Sequence, residues 1–179
     1  IVIGPTMSRT ILDLAMDDVV VLRCGYQRPY ASFGSQASDL LACAAALEYA
    51  SKVRTEAGDY ERLLSRARSI AASLIASQRD DGGWSLTSKD GNPHTVASAR
   101  SLWALAEARR YGIKLNEDTI SKAVVYLKNA FTQIAHEDDE TKALIQYSLS
   151  LVQESDFAYA NRLYRQRAAM MAVLEMARG

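Results

Sequence analysis

Apolar residues recur at helical spacing along most of the chain, and Gly, Pro and Asn fall between the periodic stretches. The breaks divide the sequence into seven predicted helices, over about 7–23, 36–54, 60–78, 93–111, 117–134, 139–153 and 156–177. Residues able to accept hydrogen bonds from free helix amides stand at the starts: Thr6, Ser35, Asp59, Asn92, Asn116 and Ser155. Pro93 suits a first helical position, and Gly112 suits the stop that follows. Glu117 and Asp118 place negative charge where the helix dipole favours it. Only residues 1–3 are compatible with a strand.

The helices alternate in character. Those over 36–54, 93–111 and 139–153 are rich in Ala, Leu and Ser, with apolar residues on more than one face. Such helices suit an inner layer with neighbours on several sides. Those over 60–78, 117–134 and 156–177 carry more Arg, Lys and Glu and suit an outer layer with one wet face. A repeat of roughly 50 residues underlies the alternation and predicts an array of helical hairpins. Gln27-Arg28-Pro29-Tyr30-Ala31-Ser32-Phe33 matches Gln78-Arg79-Asp80-Asp81-Gly82-Gly83-Trp84, and each precedes an inner helix containing Ala46-Leu47 or Ala104-Leu105. A third copy lacks the aromatic turn but keeps the inner helix, with Thr141-x-Ala143 through Leu151 set against Thr95-x-Ala97 through Leu105. Gly82-Gly83 permits a tight reversal. Trp84 is then expected to fold back as a clamp between hairpins, its ring buried and its N–H on a carbonyl, rather than to line a ligand cavity.

Charge and composition narrow the function. Lys+Arg and Asp+Glu both number 21, so the chain lacks the basic surplus that a nucleic-acid partner requires. No apolar run approaches the roughly 20 residues that direct membrane insertion needs. No targeting signal is expected in this segment, and the start at Ile1 fits a piece of a larger protein. Cys24 and Cys43 do not form a Cys-x-x-Cys pair; they read as two buried thiols, with a disulfide left open.

The run Gln78-x-x-Asp81-Gly82-Gly83-Trp84 resembles the glutamine–tryptophan repeat of α/α-toroid proteins, which include squalene-type cyclases, protein prenyltransferase β subunits and the thioester domains of α2-macroglobulin and complement. Further segments narrow the likeness. Thr6-Met7-Ser8-Arg9, Asn92-Pro93-His94-Thr95, Ser101-Leu102-Trp103-Ala104-Leu105-Ala106-Glu107-Ala108, Ala123-Val124-Val125-Tyr126-Leu127 and Asn161-Arg162-Leu163-Tyr164-Arg165 occur in an order that resembles the thioester domain of bacterial α2-macroglobulin-like proteins. The resemblance implies an all-α fold, an α/α toroid reduced to a partial ring of about seven helices in inner and outer layers. It also implies a pattern Gly-Cys-x-Glu-Gln-Thr-Met-Ser-Arg, in which Cys and Gln form the thioester. Laid on Thr6-Met7-Ser8-Arg9, that pattern puts Val2 at the cysteine, Gly4 at the glutamate and Pro5 at the glutamine. Val has no thiol and Pro no side-chain amide, so the expectation is a domain that keeps the fold and has lost covalent capture.

By the same resemblance, the function is non-catalytic: a domain of a protein that traps or inhibits proteases. Its partners would be other domains of the parent chain and proteases, and its place the periplasm or cell surface. The alternative is a fragment of a squalene cyclase or protein prenyltransferase-type enzyme. Its chemistry finds thin support in the residues. Glu137-Asp138-Asp139-Glu140 departs from the cyclase pattern Asp-x-Asp-Asp and reads as helix caps and dipole partners. A prenyltransferase would hold zinc through Asp, Cys and His, for which Asp39, Cys43 and His94 are the nearest set, but the family spacing is Asp-x-Cys and here it is Asp-x-x-x-Cys. His136 falls in a polar turn. Arg109-Arg110 and Arg162, Arg165 and Arg167 read as exposed outer-helix faces. No Ser-His-Asp arrangement, phosphate loop or His-Glu-x-x-His helix is present, and no catalytic residue or cofactor is expected.

Overall fold

The computed structural model describes residues 33–52, 57–86, 89–134 and 138–176. Within them run six helices: α1 (Phe33–Lys52), α2 (Ala57–Ala76), α3 (Thr95–Arg109), α4 (Glu117–Gln133), α5 (Asp139–Ser150) and α6 (Phe157–Met176). They correspond to the second through seventh predicted helices. The first of those, with Val2, Gly4, Pro5 and Thr6–Arg9, lies outside the described residues, as do Cys24, residues 27–32, His136 and Glu137. No helix among the described residues is long and apolar enough to cross a membrane.

The ends of the helices follow local hydrogen bonding, and several differ from expectation. α4 is capped as predicted, with Asn116 Oδ1 accepting from the Asp118 amide at 3.0 Å. Asp138 caps α5 by accepting from the Thr141 amide at 3.1 Å. α3 begins two residues later than Pro93, because this stretch pairs in extended form with 84–85: Pro93 bridges to Ser85 and the His94 amide donates to the Trp84 carbonyl at 2.8 Å. His94 is therefore extended and caps the helix itself: its Nδ1 accepts from the Ala97 amide at 3.2 Å, the role expected of Asn92. Asp156, not Ser155, caps α6 through the Tyr159 amide at 3.0 Å. Ser35 and Asp59 lie inside the first turns of α1 and α2, since both helices start before them.

The packing is two-layered, as the alternation of composition predicts and as part of an α/α toroid would be. α3 lies between α1 and α5 in an inner layer, and α2, α4 and α6 cover that layer from outside. α3 can have neighbours on two sides because its buried positions are small: Ala97, Ser98, Ala99, Ser101, Ala104, Ala106 and Ala108. Small side chains let helix backbones approach, while Leu102 and Leu105 are fully buried in the core. Ser148 on α5 sends its hydroxyl to the Ala99 carbonyl at 2.9 Å, tying two inner helices together in a buried position.

The repeat register needs one correction. Thr95-x-Ala97 does not superpose on Thr141-x-Ala143, for Ala97 is buried and Ala143 exposed. Sliding the match by one residue sets Ser98, Ser101 and Leu102 against Ile145, Ser148 and Leu149, all of them buried. An identity between two alanines carries little register information. The large apolar positions that must face the core fix which way the helix is turned.

Candidate functional site

The segment from Gln78 to Trp84 is the most specific motif in the sequence, and its geometry is that of a clamp. The turn closes on itself through the Arg79 amide to the Gly83 carbonyl and the Gly82 amide to the Arg79 carbonyl, both at 3.0 Å. Asp81 accepts from the Gly83 amide at 3.0 Å and pairs with the Arg79 guanidinium at 3.1 Å. Arg79 reaches on to the carbonyls of Lys89 and Gly91, holding the following loop. Gln78 gives its side-chain amide to the Gly82 carbonyl at 3.0 Å and to the Thr119 carbonyl at 2.9 Å, so one side chain joins the turn to the start of α4.

Both glycines are demanded by that closeness. Gly82 has φ +89°, and a Cβ there would collide with the backbone of Lys122 on α4. A Cβ on Gly83 would meet the Tyr126 ring at 2.9 Å. Trp84 is 0% exposed, with its indole N–H on the Leu74 carbonyl at 2.8 Å and its own amide on Ser98 Oγ at 2.8 Å. Ring and backbone of Trp84 together thus pin the end of α2 to the first turn of α3. The motif builds the fold and offers no open face to a ligand.

The zinc set does not assemble. Cys43 is a buried, free thiol on α1, and Asp39 is half-buried one turn before it. Burial pushes the Cys43 thiol up from its ordinary value; Arg66 pulls against this and Asp39 adds to it. His94 is exposed and engaged at the start of α3. No three metal-capable side chains come together among the described residues. Arg109 and Arg110 stand at the end of an inner helix rather than on an outer face. They pair with Glu117 and Glu107, each at 2.8 Å. Arg162, Arg165 and Arg167 are exposed on α6 as expected, and the Arg162 guanidinium lies 5.2 Å from the centre of the Tyr159 ring.

The remaining feature is one that periodicity did not reveal. A groove of about 630 Å³ runs between α5 and α6, lined in part by Ala143, Gln146, Tyr147, Ala160 and Leu163. Phe157 and Tyr164 line it while 80% and 74% exposed. Asp139, Glu140 and Arg167 also line it and supply its charge. α3 is covered on both sides by inner helices, whereas α5 has such a neighbour only in α3 among the described elements. The signal was present as two large aromatics seven residues apart on α6, at Phe157 and Tyr164. On a helix expected to be an outer one with a single wet face, the spacing alone does not show whether that face is covered.

No protein-family model matches the sequence, and no curated protein matches it. Solved structures do. Salmonella alpha-2-macroglobulin reacted with methylamine aligns over 88% of this chain with a TM-score of 0.62 at 18% identity. Native Escherichia coli alpha-2-macroglobulin, spanning domain MG7 to the C-terminus, aligns over 92% with a TM-score of 0.64, also at 18% identity. The chain has the fold of a segment of bacterial alpha-2-macroglobulins. It spans 11% of the length of the Salmonella alpha-2-macroglobulin and 26% of the Escherichia coli piece. The likeness agrees with the family resemblance read from the sequence and with the all-α architecture.

Proposed function

We propose that the chain is a non-catalytic interaction domain of a bacterial alpha-2-macroglobulin-like protein that has lost its thioester. The observation that carries this reading is the match of 88–92% of the chain to those macroglobulins. Two further points support it. Val2 and Pro5 occupy the positions where the resemblance requires Cys and Gln. The side chains of Gln78 and Trp84, in the most specific motif of the sequence, are committed to backbone groups of the fold.

On this reading the parent protein restrains proteases by enclosure, without a covalent bond. It is exported to the periplasm or cell surface, and the domain's partners are other domains of the same chain. The groove between α5 and α6 is the face it presents to them, since exposed aromatics lining a concave apolar surface are the usual mark of an interaction site.

The test mixes the full-length parent with a protease and follows cleavage of a large protein substrate and of a small peptide. Enclosure predicts that cleavage of the large substrate falls while the small peptide is cleaved at the original rate, and that the parent takes up no methylamine. Unchanged cleavage of both substrates would sink the trapping role. Methylamine incorporation at a glutamine of the parent, with release of a cysteine thiol, would sink the loss of the thioester.

A further inference from the structure

We draw no further inference here: the strongest candidate, the apolar groove between α5 and α6, is the face already assigned to contacts within the parent protein, and nothing in the structure shows the chemistry of what covers it.

Discussion

Two connections between successive helices, α2 to α3 and α5 to α6, are built differently. Between α2 and α3 the chain forms a clamp: a fully buried Trp84, a Gln78 that bridges to α4, and two glycines pressed against α4. Between α5 and α6, residues 151–156 include neither a tryptophan nor a glycine. There, α6 is held to α4 by the edge-to-face pair of Phe131 and Tyr159, 4.7 Å between ring centres, and its approach is tied by Lys128 to Glu154 at 2.6 Å. Gln146 accepts from the Asp156 amide at 2.9 Å and fixes the entry to α6. An aromatic pair contributes about 1 kcal/mol beyond its burial, and an exposed ion pair less. A buried tryptophan with its hydrogen bond satisfied contributes several times that. The repeat therefore has one sealed joint and one light one, and the light joint is where the surface is open.

The largest effect that would break this contrast is expected at Trp84. Trp84→Ala removes the ring from a site with 0% exposure and strands the Leu74 carbonyl, for an expected loss of about 3–5 kcal/mol in urea unfolding. A loss below about 1 kcal/mol would mean that the turn is not a clamp. Gly82→Ala comes next, at about 2–3 kcal/mol, because the new methyl meets backbone and φ is +89°. Gly83→Ala should cost less, since the Tyr126 ring can shift where the Lys122 backbone cannot.

At the light joint, a substitution should stabilise. Gln153 follows α5 with φ +62°, its amide on the Ser150 carbonyl at 3.1 Å and the Glu154 amide on the Leu149 carbonyl at 2.9 Å. This is the left-handed helix stop in which glycine is favoured, so Gln153→Gly is expected to raise stability by about 1 kcal/mol.

The smallest effect is a pH dependence. The Thr141 amide holds the Asp138 carboxyl below its ordinary value. Its stabilisation is therefore present above the carboxylate's unfolded value and is lost as pH falls through the lowered folded one. Asp138→Asn keeps a capping oxygen and should flatten that acid limb of the Tm–pH curve; an unchanged limb would assign it to other groups.

Much of this architecture was legible because it rests on local rules. The alternation of Ala- and Leu-rich helices with charged ones foretold the two layers, and Gly82-Gly83-Trp84 foretold the buried clamp. Caps were less legible where a tertiary bond intervened. Pro93 and Asn92 look like a helix start, but Pro93 bridges to Ser85 and the His94 amide to Trp84, and that extended pairing delays it. The groove was hidden for a related reason. Periodicity says which residues share a face, as Phe157 and Tyr164 do, but not whether a neighbouring helix covers it. Asp39, Cys43 and His94 show the converse, since residue types that suit zinc carry no information on whether the fold gathers them.

The contrast between the joints reduces to one claim, that the α5–α6 edge is the surface covered in the whole protein. Amide hydrogen exchange of the isolated chain, set beside the same residues within the full-length parent, tests it most directly. The account predicts that protection over Ala143–Ser150 and along α6 rises in the parent, while the amides around Leu74, Trp84 and Ser98 exchange alike in both. Equal exchange at α5 and α6 in the two proteins would contradict it.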